Sequence, residues 1–437
     1  MKATRHEHSA RSRDVDPESV NAVLGRWAGE IADRYAAFYR DLHAHPELSG
    51  HEHRTAAAVA TALHALDGIH VTPGVAGTGV VAVLENGDGP VVMMRADMDA
   101  LPMAEATGLP YASTDHGIDA DGRSVPVAHA CGHDVHTTAL VAAVHLLSAA
   151  RAQWSGTVVA VFQPAEELLT GAADMIADEL FERFPRPGIV LGQHVGASEA
   201  GTVRYALGPA MAGIDSAKVT LYGRGGHAGW PEHTVDPLVM AAAAVLRLQT
   251  VVAREVPSTE QAVLTVGTLH AGTKDNIIAD TSVMGITLRS YTPATRTLLR
   301  AATERIVRAE AHASSAPRDP DIDWYQGAPA LTNDTAAMTT TVEAFRTHLG
   351  AGNITEAAPI AASEDVGAYG AALSIPTVYW WLGGTDPHDF ADAQRTGEAL
   401  PFNHSPRFAP VIEPTISTGV KALAVAALTW LGAPRPT

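Results

Sequence analysis

The sequence predicts an α/β protein in two parts: a mixed-sheet α/β domain interrupted by an inserted α+β unit of the ferredoxin-like kind. Short runs rich in branched apolar residues alternate with stretches of helical apolar spacing in the first half of the chain. Several of those runs end directly on carboxylate or imidazole side chains, and open α/β sheets hold their ligands at the carboxyl ends of strands. From residue 212 to 329 the order becomes β-α-β-β-α-β, the split βαβ arrangement, and the β/α alternation resumes after Pro329. The expected division is therefore a first domain of residues 19–211 and 330–437 with 212–329 inserted in it.

Residues 1–18 are polar and aperiodic and read as a disordered tail, with His6 and His8 solvated. Residues 19–42 carry Val20, Val23, Leu24, Trp27 and Ile31 at helical spacing, and Pro46 stops that helix. A second helix is expected at 51–66, then strands at 71–73, 79–84 and 91–95. Gly74, Gly77 and Gly79 open no helix, so they mark turns and no nucleotide loop. Residues 133–150 are helical by the spacing of Leu140, Val144 and Leu147, while 158–162 and 189–192 read as strands. In the insertion, strands are expected at 216–222, 262–270, 282–291 and 321–326, and helices at 236–253 and 294–313. A helix at 335–349, capped by Asn333 or Asp334, an apolar strand at 377–382 and a final helix at 410–431 complete the first domain. The polar segment 385–403, which contains His388, reads as loop.

A net charge of −18, from 48 acidic and 30 basic residues, speaks against nucleic acid or an anionic membrane as partner. One cysteine, Cys131, leaves no partner for an intrachain disulfide, and the first residues lack an apolar signal core, so the cytoplasm is the expected location. No run approaches the ~20 apolar residues of a membrane span. With 21 histidines in the chain, a lone histidine near a carboxylate says little, and position at strand ends has to decide.

The motif HACGHD, residues 129–134, puts a thiol and an imidazole two residues apart, which is metal-ligand chemistry more readily than packing chemistry. FQPAEE ends a strand on adjacent carboxylates, Glu166 and Glu167, a repulsive pair unless a cation sits beside them. Asp97 and Asp99 follow the 91–95 strand, His194 follows the 189–192 strand, and His404 lies in the loop before the last helix. A two-metal hydrolase needs cations roughly 3.5–4 Å apart, a bridging ligand and a carboxylate to take a proton from water. Cys131, His133, Glu166, Glu167, His194 and His404 supply that inventory, with Glu166 left over as base. Two rivals stand beside it. One is an amidase with Cys131 as nucleophile and His133 as its base; the other is a binding protein that keeps the fold without catalysis. A serine hydrolase is disfavoured because no G-x-S-x-G elbow occurs.

Taken together, HACGHD, FQPAEE, RADMDALP, HPELS, GRGGHAGWP and NHSPRF resemble the M20 metallopeptidase and aminoacylase superfamily. The likeness is to its amidohydrolase branch of hippurate hydrolases and indole-acetyl amino acid hydrolases, and it runs from about residue 36 to the carboxyl terminus. It implies a zinc-peptidase type catalytic domain whose insertion is a lid and a dimer interface. It also implies two divalent ions, zinc or manganese before cobalt or nickel: one held by Cys131, His133 and His194, the other by Cys131, Glu167 and His404. Glu166 matches the general base and Asp97 the carboxylate that orients a ligand. His227 matches a histidine that reaches across the dimer to the scissile carbonyl, and Asn276 and Arg289 match groups that bind the substrate's carbonyl and carboxylate oxygens. The implied reaction is hydrolysis of N-acyl or N-aroyl amino acids by a metal-bridging water, with dipeptides or carbamoyl amides as alternative substrates on the same scaffold. The family's His-x-Asp reads Arg95-Ala96-Asp97 here, Cys131 stands where an aspartate would bridge, and Ala279 stands where proline is frequent.

Overall fold

A computed structural model describes residues 17–433. The expected tail up to residue 16, with His6 and His8, lies outside the described residues; residues 17 and 18 begin a helix. The chain runs through α1 (Pro17–Leu24), α2 (Glu30–Ala44), α3 (His53–His64), β1 (Ile69–Val75), β2 (Gly79–Asn86), β3 (Val91–Asp97), α4 (His133–Ala149), β4 (Gly156–Gln163), β5 (Ile189–Glu199) and β6 (Val203–Tyr205). It continues through β7 (Gly213–Tyr222), α5 (Pro237–Arg254), β8 (Ala262–Ala271), β9 (Thr281–Ser290), α6 (Pro293–Ala313) and β10 (Asp321–Ala328). It closes with α7 (Thr335–Phe345), β11 (Ile354–Glu356), β12 (Thr377–Thr385), α8 (Pro387–Thr396) and α9 (Ile412–Trp430).

Two compact units result. The first is built on an eight-stranded mixed sheet of order β1-β2-β4-β3-β5-β12-β6-β11. Its centre, β4, β3, β5 and β12, is parallel; β1 and β2 join it antiparallel on one side. The central strands are buried along nearly their whole length, as strands covered on both faces must be. α4 is buried almost throughout, because its sequence is apolar on every side, and it packs on α9 and on the sheet. The second unit is a four-stranded antiparallel sheet, β8-β9-β7-β10, with α5 and α6 packed on it. Both helices start on a capping side chain followed by proline: Asp236 accepts the Leu238 N–H and Thr292 the Thr295 N–H.

Three local expectations change, and the choice between Asn333 and Asp334 as a helix cap closes on one of the two. The helix expected over 19–42 is broken into α1 and α2, because Gly25 to Gly29 favour a turn and Gly29 sits at φ 54°. The segment 385–403 is not all loop. Asp386 caps α8 by accepting the His388 N–H at 2.8 Å, with Pro387 in the first turn, and the helix ends at Gly397 with φ 77°. His388 is on this helix with its side chain 83% exposed. The second unit takes in residues 209–331 and also 359–364, a strip that sequence periodicity leaves with the first domain; it is tied there by backbone bonds between Ile360 and Ala210 and between Ala212 and Ile360. Finally, Asp334 is the α7 cap, accepting the Ala337 N–H at 2.8 Å.

Asn333 does different work. It is buried, its amide donates to Ala206 O and Tyr379 O at 2.9 Å, and its oxygen accepts the Tyr379 N–H at 2.7 Å. Its own N–H reaches Gly208 O at 2.8 Å, so the points where the chain leaves and re-enters the first unit touch. Asn333→Ala removes these three hydrogen bonds to buried backbone groups and is expected to lower the unfolding free energy by about 2–4 kcal/mol, measured by urea titration; a change under 1 kcal/mol would contradict this account.

Candidate metal centre

Three loops build the centre at the carboxyl edge of the first unit's sheet. The first is HACGHD. Gly132 turns the chain into α4 at φ 86°, and a Cβ there would meet Val195 Cγ1 at 2.3 Å, so only glycine lets Cys131 and His133 flank this turn. The second is the loop after β4, which carries Glu166 and Glu167. The third is NHSPRF, fixed from far along the chain: the Asn403 amide donates to Cys131 O and Val195 O at 3.0 Å, and the His404 N–H to Ala130 O at 2.8 Å.

The ligand atoms of Cys131, His133 and His194 lie within 4.8 Å of one another, and so do those of Cys131, Glu167 and His404. Cys131 is common to both groups. Glu166 is 5% exposed and stands outside both, with Oε2 3.9 Å from His133 Nε2. All six residues singled out for this chemistry are thus brought together.

The imidazoles are oriented as ligands need to be. His194 Nδ1 donates to Val195 O at 2.8 Å, which turns Nε2 to the Cys131 sulfur, a hydrogen-bond partner at 3.5 Å. His133 Nδ1 is held by Asp99 Oδ1 at 3.1 Å. Here the sequence reading needs correction: the carboxylate that orients His133 is Asp99. Asp97 instead accepts from His136 Nδ1 at 2.5 Å and from Arg95 at 2.6 Å, and comes only to 3.7 Å from His133 Nε2. His136, which sequence reasoning passed over, takes the Val195 N–H on Nε2, so it is an outer support and not a ligand. Its position one helical turn after His133 was the available signal.

The electrostatics favour cations. Asp97, Asp99, Glu166 and Glu167 converge on this pocket. Burial favours neutral His133, yet Asp97, Cys131 and Asp99 outweigh it and raise its pKa well above the usual range. Hydrogen bonds with Cys131 and Glu167 raise His404 to about 10. Burial pushes the Cys131 thiol up, and Glu167 adds to this, the reverse of what a free cysteine nucleophile requires. Glu167 Oε1 pairs with His404 Nε2 at 3.2 Å, while buried His133 Nε2 comes only to 3.9 Å from the Glu166 and Glu167 carboxylates, an arrangement that a cation between these groups would satisfy better. Thiolate, imidazole and carboxylate donors of this kind fit divalent ions of the zinc or manganese type.

The remaining predicted residues belong to the second unit. His227 and Asn276 come together on a small ribbon, where Gly226–His227 pairs with Ile277–Ile278 and the Ala228 N–H reaches Asn276 O at 3.1 Å. The His227 ring accepts the Gly229 N–H on Nδ1, which leaves a neutral ring's proton on exposed Nε2. Arg289 on β9 donates to Ala361 O at 2.6 Å and Ser363 Oγ at 3.0 Å, and among the described residues it has no carboxylate partner.

Fold and centre together put the chain among the amide-cleaving metallohydrolases. Residues 93–424 match the model of peptidase family M20/M25/M40, and the chain belongs to that family. It is 36% identical over 357 residues to the N-acetyl-L-cysteine deacetylase of Bacillus subtilis, covering 80% of each chain. It is 34% identical to the hippurate hydrolase of Campylobacter jejuni, covering 78% of this chain and 86% of that one. Among solved structures, a dinuclear metal binding peptidase of family M20 from Bacillus subtilis superposes with a TM-score of 0.73 at 28% identity, over 91% of this chain and 98% of that one.

If Asp99 orients His133, Asp99→Asn should weaken metal binding about 10–100-fold with the far-ultraviolet circular dichroism unchanged. Chelator competition measures this, and unaltered affinity would remove Asp99 from the role.

Proposed function

We propose that the enzyme hydrolyses the amide of N-acyl and N-aroyl amino acids to a carboxylic acid and a free amino acid. The observation that carries this is the convergence of two ligand groups on one sulfur with a carboxylate, Glu166, left over beside them. When bound by Cys131, His133 and His194 and by Cys131, Glu167 and His404, divalent ions supply Lewis acidity that favours ionisation of water and polarises a carbonyl.

Glu166 takes a proton from the attacking water as its oxygen bonds to the carbonyl carbon, and delivers it to the nitrogen as the C–N bond breaks. His227 donates Nε2–H to the developing oxyanion, and Asn276 beside it offers an amide to the same end of the substrate. Arg289, half-buried and without a carboxylate partner among the described residues, offers a planar fork to the α-carboxylate. Acetyl-cysteine and hippurate, the substrates named for the relatives above, are both N-acyl amino acids and support the same class.

The reading includes a cytoplasmic homodimer formed through the second unit. Support comes from α5, the one described helix with the length and composition of a membrane span. One face packs in its own core through Met240, Ala244 and Leu248, while Val239 and Leu246 are exposed, as is Val263 on the sheet-edge strand β8.

Glu166→Gln should keep metal content near normal and lower turnover of hippurate and N-acetyl amino acids by at least about 100-fold; unchanged turnover removes Glu166 as base. Stripping metal with a chelator should abolish hydrolysis and re-adding zinc or manganese restore it, whereas a Cys131 nucleophile would survive stripping. Leu246→Asp should shift sedimentation towards monomer and lower turnover with it, since His227 then lacks a second subunit to act upon; a fully active monomer contradicts the trans role.

A further inference from the structure

The loop that carries Glu166 leaves β4 in a conformation that residues with a Cβ seldom adopt. Ala165 and Leu169 both lie in the left-handed region, at φ 52° and 56°, which crowds a Cβ against the backbone. Such backbone persists only where its surroundings hold it.

Two wholly buried carboxylates from other segments do so. Glu52, just ahead of α3, accepts the Ala165 N–H at 2.9 Å and the Gly50 N–H at 2.7 Å on one oxygen, and the Thr78 hydroxyl at 2.5 Å on the other. Asp99, just after β3, accepts the Glu167 N–H at 3.0 Å and the Ser49 hydroxyl at 2.6 Å, while its other oxygen holds His133. The peptide N–H before Glu166 and the one after it are therefore each pinned by a carboxylate. Bonds from neutral donors to ionised acceptors are roughly twice as strong as neutral ones.

The two clamps differ in what else they touch. Asp99 also bonds a candidate metal ligand, so its loss disturbs the centre directly. Among the described residues, Glu52 hydrogen-bonds Gly50, Thr78 and Ala165 and no candidate ligand. We propose that Glu52 is a positioning residue for Glu166: it fixes the left-handed Ala165 and thereby aims the general base, without contact with either ligand group. This rests on the reading of Glu166 as base.

The test compares Glu52→Ala, Glu52→Gln and Glu166→Gln in the zinc-reconstituted enzyme with hippurate as substrate. Glu52→Ala should lower kcat about 10–100-fold with KM within about twofold, retain the wild-type metal-to-protein ratio, and speed amide exchange in residues 163–170 but not in β3. Glu52→Gln should restore kcat to within a few-fold, because its amide oxygen can accept both N–H groups and its NH2 can donate to Thr78. Should Glu52→Ala fail to fold, Glu52→Asp, one methylene too short to reach Ala165, takes its place with the same readouts. The proposal is overturned by an unimpaired kcat, by a loss of kcat that follows loss of metal, or by a Glu52→Gln enzyme no better than Glu52→Ala. An inactive Glu166→Gln beside an unimpaired Glu52→Ala defeats only the positioning role; a fully active Glu166→Gln defeats the base assignment itself.

Discussion

The centre depends on the parallel register of four strands. Asp97 on β3 is opposite Gln163 on β4, Arg95 is opposite both Val161 on β4 and Gly192 on β5, and His194 on β5 is opposite Trp381 on β12. This brings three strand ends to one level, with alternate side chains facing alternate sides of the sheet. A slip of one residue in any pair would turn His194 or Asp97 to the opposite face, and no loop rearrangement would recover the pocket. The loops with Cys131 and His404 are secondary to this frame: they hang from it through Asn403, whose amide joins the carbonyls of Cys131 and Val195.

Beneath the pocket the register is reinforced by charge. Arg95 is buried and bonds Asp97, Gln163 and Asp365, and Asp365 in turn takes the Gln163 amide and the Ala172 N–H. Buried ion pairs contribute little net stability over an apolar core of the same volume, but removing one partner strands the other charge. Their effect here is specification. Arg95, Asp97 and Asp365 satisfy one another only when β3, β4 and the segment around residue 365 sit in one arrangement, and that arrangement presents Asp97 to His136.

Much of this was legible in the sequence, for identifiable reasons. Cys131 is the sole thiol, Glu166 and Glu167 are adjacent like charges after a strand, and His194 ends another apolar run, so type and position agreed before any geometry was known. The choice between Asp97 and Asp99 was not legible, since residues two apart share a strand face and the turn after β3 decides which one reaches His133. The break at Gly25 to Gly29 and the Asp386-Pro387 start of α8 are both written in turn and cap chemistry, against which the periodicity of the surrounding residues points to one long helix in the first case and to loop in the second. Residues 359–364 are a different matter: nothing periodic marks them, and their membership of the second unit comes from hydrogen bonds to Ala210 and Ala212. The clamp on Ala165 is of that kind too, because a carboxylate over 100 positions upstream carries no local mark of what it will bind.

The hydrogen bond from Asn333 to Gly208 closes the neck of the inserted unit. Since exit and return are neighbours in space, the insertion interrupts the first unit's chain without parting its two halves. A tight peptide bridge between residues 208 and 333 would make the first unit continuous again, and the inserted unit could be exchanged for one of another length without rethreading the strands that bear the pocket.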